Sequence, residues 1–176
     1  MKTGIILKEL ETLLEKVSRE QLEALAGRIV FAPRVFVSGA GRSGLALKMF
    51  AMRLGQMGKT AFVAGETMTP AIGKGDLLLV ASASGKTESV CRHAKIAREA
   101  GADVFLITAN RDVLLENERL VLDCPSKAEG KDGSIQPMGS LFEQAVLILL
   151  DACILSCMEA MGETAESMRA RHANLE

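Results

Sequence analysis

Residues 34–57, RVFVSGAGRSGLALKMFAMRLGQM, decide how this chain folds. They open with a β-branched and aromatic run, Val35-Phe36-Val37, pass through a Gly/Ser loop from Ser38 to Gly44, and continue with apolar residues at helical spacing. The pattern predicts a strand, a tight loop and a helix. Glycines let the backbone turn sharply and come close to a ligand, and the helix start leaves N–H groups directed at any anion there. A phosphate fits such a place.

Gly39, Gly41 and Gly44 also spell the G-x-G-x-x-G dinucleotide pattern, with acidic Glu66 roughly 20 residues further on. Against a dinucleotide stand Ser38, Arg42 and Ser43, which suit a compact phosphate better than a bridging pyrophosphate, and a second serine-rich loop from Ser82 to Thr87. That loop ends Gly85-Lys86-Thr87 like a P-loop, but the full motif needs a glycine where Val80 stands. What remains is a strand-end loop with the hydroxyls of Ser82 and Ser84, backbone N–H groups, and Thr87 opening a helix. Together these can satisfy the oxygens of a phosphate monoester. The alternative is that Thr87 merely caps the helix and the serines are solvated turn residues.

Working outward, Ile6, Leu10, Leu13, Leu14 and Val17 fall on one helical face. Ser18-x-x-Gln21 offers a capping box for a second helix, with Leu22, Leu25, Ala26 and Ile29 inward and Pro33 ending it. Downstream, Lys59–Ala64, Leu77–Ala81, Val104–Thr108 and Leu120–Leu122 read as further strands, and a helix runs from Thr87 to about Ala100, where Gly101 closes it. Continuous apolar strands alternating with helices predict an α/β fold, a doubly wound five-stranded parallel sheet flanked by helices, with ligands beyond the carboxyl ends of the strands. A polar loop, Ser126 to Gly139, precedes a helix from Leu141 to Met161 that is apolar on almost every side. Such a helix needs cover all round, so subunit association is expected. The expected layout is one domain over 1–176, with N-terminal helices in 1–32, the α/β core in 33–125 and C-terminal helices in 137–176.

Composition narrows the function. With 176 residues and 48% hydrophobic content the chain suits one well-filled domain. Its net charge of −1 leaves no basic face for nucleic acid, and the absence of Trp and Tyr leaves no stacking platform for bases. The beginning reads as an amphipathic helix, not a signal peptide, and the most apolar run, Ala145 to Leu150, is broken by Asp151. A cytoplasmic protein without membrane or nucleic-acid partners is expected. Cys91, Cys124, Cys153 and Cys157 have no C-x-x-C spacing, so neither a metal nor a disulfide is expected, and Cys153 and Cys157 read as buried thiols.

Glu143 is the carboxylate with two readings. Ser140-x-x-Glu143 is a capping box, which makes it structural; its position where an apolar helix meets a Gly-rich loop makes it a candidate base. His93, mid-helix beside Val90 and Ala97, reads as a boundary histidine, and His172 as part of a solvated chain end.

Taken together, the chain resembles the single-domain sugar isomerase (SIS) proteins, and among them the 6-phospho-3-hexuloisomerases. The carriers are Gly41-Arg42-Ser43-Gly44, Gly65-Glu66-Thr67 with Thr69-Pro70, Ser82-x-Ser84-Gly85-x-Thr87, Pro137 to Glu143, and Arg171 to Glu176. The resemblance implies a five-stranded parallel sheet of flavodoxin-like type and a homotetramer without cofactor. It also implies interconversion of D-arabino-hex-3-ulose 6-phosphate and D-fructose 6-phosphate in the ribulose monophosphate route of formaldehyde assimilation. Ser43 and the loop Ser82, Ser84, Gly85, Lys86, Thr87 then correspond to phosphate-binding positions and Glu143 to the proton acceptor. Arg42 or the loop N–H groups become candidate oxyanion donors, and His172 a candidate proton carrier in its own or a neighbouring site. Departures from the family pattern fall at Lys86 and Ala83. Rival functions are isomerisation of another phosphosugar, such as sedoheptulose 7-phosphate, and non-catalytic sensing of a sugar phosphate.

Overall fold

The computed structural model describes residues 1–113, 118–125 and 133–175; part of the expected polar loop, 126–132, lies outside the described residues. Two helices, α1 (Lys2–Leu14) and α2 (Arg19–Phe31), precede the strand, loop and helix of the opening motif, β1 (Arg34–Gly39) and α3 (Gly41–Gln56). Then follow β2 (Thr60–Val63), β3 (Leu77–Ala81), α4 (Glu88–Glu99), β4 (Asp103–Thr108), β5 (Arg119–Val121), α5 (Ser140–Met161) and α6 (Ala165–Ala170). The strands lie in the order β2-β1-β3-β4-β5 and every pairing is parallel, the doubly wound arrangement expected.

Strand periodicity sorts the core into two layers. Val35, Val37, Leu77, Leu79, Phe105 and Ile107 face α1, α2, α3 and α5, while Phe36, Leu78, Val80, Val104 and Leu106 face α4. The first layer is thick, because α5 lies centrally within it and packs on α1, α2 and α3. By length and composition α5 could cross a bilayer, but half of its most apolar window is buried in this fold. Cys153 and Cys157 are among its buried residues, as expected. Ser18 caps α2 by accepting a hydrogen bond from the Gln21 amide at 3.3 Å.

At the amino ends of the strands, Arg34 grips Asp76 with two hydrogen bonds, 2.8 Å from Nε to Oδ1 and 2.5 Å from Nη2 to Oδ2. Asp76 is 2% exposed and also accepts from the Gly73 amide at 2.7 Å. Burial works against its charge, but the Arg34 and Gly73 hydrogen bonds outweigh that and hold the carboxyl below its ordinary range. Asp76→Asn is therefore expected to cost about 3 kcal/mol at pH 7, the lower end for a broken buried pair because Arg34 keeps solvent contact. A depressed pKa contributes stability that is present above the ordinary carboxylate range and lost as pH falls through the folded value. Urea unfolding of the two proteins is expected to differ at pH 7 and to converge in acid.

Candidate active site

The strand order reverses direction between β1 and β3, so α3 and α4 leave on opposite faces and a crevice opens between their starts. The start of α5 closes it from a third side. None of the three helices has a side-chain cap: the N-cap positions are Ala40, Thr87 and Gly139. Three sets of helix-start N–H groups and three positive dipole ends thus surround one cleft, which favours an anion. The cleft measures about 540 Å³ and is lined by Ala40–Ser43, Ala81–Ser84, Thr87, Pro137–Ser140, Phe142 and Glu143.

Its first loop depends on Gly44. A Cβ there would sit 2.5 Å from the Gly39 carbonyl oxygen, so the turn that presents Arg42 and Ser43 closes only around a glycine. Just before it, Ser38 faces the α4 layer, where its Oγ lies 2.8 Å from His93 Nδ1. His93 is thus a tie between β1 and α4, more than a boundary residue. Burial, with Arg92 adding to it, pushes the imidazole below its usual pKa.

The second loop is held by hydrogen bonds of its own and by the end of β4. Ser82 Oγ accepts from the Gly85 amide at 3.1 Å and lies 2.9 Å from Thr87 Oγ1, while Ser84 Oγ accepts from the Lys86 amide at 3.2 Å. Thr108 Oγ1 donates to the Ala83 carbonyl at 3.2 Å and Asn110 Nδ2 to the Ser84 carbonyl at 3.0 Å. Sequence reasoning missed Thr108 and Asn110. Their only signal was a polar residue closing an apolar strand and another two positions later.

Glu143 lines the same cleft as Ser82, Ser84 and Thr87. The capping box expected with Ser140 does not form, because Gly139 takes the N-cap position and Ser140 instead donates its hydroxyl to the Pro137 carbonyl at 2.7 Å. The Glu143 carboxylate, 13% exposed, pairs with the Arg42 guanidinium from α3. Next to it Met138 adopts a left-handed backbone, φ 55°, in the wall of the cleft. A non-glycine residue held there is strained, and such strain gathers at functional sites.

Three sequence candidates lie elsewhere. Gly85 is buried and serves the turn: its φ is +66°, and a Cβ would come within 2.5 Å of Val113. Lys86 is exposed and outside the lining. His172 lines a separate groove of about 670 Å³ between α3, α5 and α6, with Arg53, Ile148 and Leu155. His172 is solvent-exposed, as expected, while the residues just before it are held. A Thr164/Ser167 capping box starts α6, and Arg171 binds Glu163 at 2.8 and 3.0 Å and the Gln56 carbonyl at 3.2 Å. Among the described residues no cluster of three His, Cys, Asp or Glu could hold a metal ion.

The SIS domain profile matches residues 29–151, the sheet together with α3, α4 and the first half of α5. The chain belongs to the SIS family. Within it, the chain is 44% identical over 177 residues to the 3-hexulose-6-phosphate isomerase of Mycobacterium gastri, covering 98% of this chain and 89% of that one. It is 40% identical over 176 residues to the Bacillus subtilis protein of the same name, covering 97% and 95%. A crystal structure of a Methanococcus jannaschii protein, from which a 3-hexulose-6-phosphate isomerase function was inferred, covers 99% of both chains at 33% identity with a TM-score of 0.85.

Gly44→Ala is expected to destabilise this SIS protein by about 1–3 kcal/mol through overpacking, and to weaken its binding of inorganic phosphate. Gly55 on α3 has open space around it, so Gly55→Ala is expected to leave phosphate binding unaltered. Chemical denaturation and phosphate calorimetry on both variants check this.

Proposed function

We propose that this SIS protein interconverts D-arabino-hex-3-ulose 6-phosphate and D-fructose 6-phosphate. The observation that carries the reading is one cleft lined by Ser43, Ser82, Ser84 and Thr87 together with Glu143, in a chain closely related to two 3-hexulose-6-phosphate isomerases. The hydroxyls and the starts of α3 and α4 suit the phosphate. The remaining wall, with Glu143 and Arg42, meets the carbon chain.

Moving the carbonyl from C3 to C2 needs a base to take the C2 proton, a stabilised enediolate, and return of the proton at C3. Glu143 is that base, and a positioned base contributes ~10²–10⁴ in rate. Arg42, already held against this carboxylate, stands beside the reacting carbons as a donor to the enediolate oxygens when negative charge develops on them. Proton exchange between the two oxygens falls to His172. Since that residue lines the other groove of its own chain, it serves the cleft of a neighbouring copy.

Assembly fits the surface. Leu45, Met49 and Met52 on α3 and Ile148 and Leu155 on α5 are all at least 43% exposed, a concentration of apolar side chains that a tetramer would cover. The reading is of a cytoplasmic, cofactor-free enzyme of formaldehyde assimilation.

Incubating the protein with D-arabino-hex-3-ulose 6-phosphate and following fructose 6-phosphate by coupled NADP reduction tests the activity. Turnover of sedoheptulose 7-phosphate alone, or binding without turnover, would favour the rival isomerase or the sensor. Glu143→Gln is expected to lower kcat by ~10²–10⁴ with the unfolding midpoint unchanged. Leu155→Glu is expected to reduce the sedimenting mass, and activity with it if His172 acts across subunits.

A further inference from the structure

Glu9, on the helix farthest in sequence from the cleft, makes contacts that packing of α1 does not require. One carboxylate collects three donors from the segment leading into α5: Ser134 Oγ at 2.7 Å, the Ile135 amide at 2.9 Å and Gln136 Nε2 at 3.1 Å. The Gln136 amide in turn donates to Ser134 Oγ at 3.0 Å, and Gln136 is 5% exposed. The chain is therefore pinned on both sides of Ile135. It then runs directly into Pro137, Met138 and Gly139, which form one wall of the cleft, and into the α5 start that carries Glu143.

The pinned residues and the strained one adjoin. With 134–136 fixed by Glu9 and Ser140 bonded back to Pro137, only two residues, Met138 and Gly139, remain to complete the turn, and Met138 takes a positive φ. A strained residue persists only where its surroundings over-determine it. The Glu9 carboxylate supplies that determination from 125 residues away. Burial works against its charge, yet the bonds from Ser134, Ile135 and Gln136 together hold its pKa below the ordinary value.

We infer that Glu9 is a positioning residue for the isomerase cleft: by gathering the donors of 134–136 it sets the Pro137–Ser140 wall and, through it, the seat of Glu143. This rests on the isomerase reading given above. The phosphate loops follow β1 and β3, and none of the Glu9 hydrogen bonds reaches them, so Glu9 should govern the chemical step and leave phosphate binding alone. Glutamine is the informative substitute, since its amide nitrogen would be a donor facing other donors.

Glu9→Gln is expected to lower kcat about 10-fold to 100-fold, the scale of an ångström-sized misplacement, with KM for D-arabino-hex-3-ulose 6-phosphate and the affinity for inorganic phosphate within about twofold. Amide hydrogen exchange at 134–141 should quicken, and Glu9→Asp should restore part of kcat. If Glu9 only docked α1, Glu9→Gln would lower the unfolding midpoint and leave kcat unchanged, which overturns the inference; so would unchanged exchange at 134–141. A wild-type protein that fails to turn over this substrate defeats the isomerase reading instead, and exchange then still decides whether Glu9 holds the wall.

Discussion

Every strand in this sheet runs the same way, so every strand-to-helix turn must emerge along one edge. That constraint governs the rest of the molecule. It brings the ends of β1, β3 and β4 side by side, and the reversal of strand order between β1 and β3 parts two of their turns just enough to leave a crevice. Into the same edge the long return from β5 delivers the start of α5. Three helix dipoles then share one focus, a source of positive potential independent of any lysine or arginine. Such a focus is preorganised, because backbone N–H groups held by regular helices do not reorganise when an anion arrives.

What could be read in advance follows from the range of the interactions involved. Strands β1, β3 and β4 show as continuous apolar runs because both faces of the sheet are covered, and the two serine loops show because glycine and hydroxyl residues mark a turn wherever it falls in the fold. The pairing of Arg42 with Glu143 spans 101 residues and has no local signature. Here local reading pointed the other way, since Ser140-x-x-Glu143 spells a capping box. The box fails because the helix begins one residue early in register, with Gly139 at the cap, so Ser140 is already inside it. The same limit hid Thr108, Asn110 and Glu9, whose partners lie 25, 26 and 125 residues distant. His93 is half-buried, as its helical position implied, and strand alternation on β1 adds what that position could not show, the hydrogen bond with Ser38.

The polar groups that stabilise this protein recur in one form: a side chain from one element satisfies backbone groups of a loop on another. Lys59 donates to the Val30 and Ala32 carbonyls at the end of α2, at 3.1 and 2.6 Å. Thr69 Oγ1 binds the Val63 carbonyl at 2.5 Å, and Asn110, Glu9 and Arg171 follow the same rule. Each such bond is worth about 1 kcal/mol net, but leaving a buried partner unsatisfied costs more. These side chains therefore act as fasteners whose removal is felt in loop shape before it is felt in the sheet.

The Arg34–Asp76 clamp sits at the amino edge of the sheet, the full length of the strands from the cleft. Anchorage and reactivity thus occupy opposite rims, joined only through a rigid apolar slab. None of the residues lining the cleft bonds to Arg34 or Asp76. A scaffold divided in this way lets descent with modification try new sugars at one rim without risking collapse at the other.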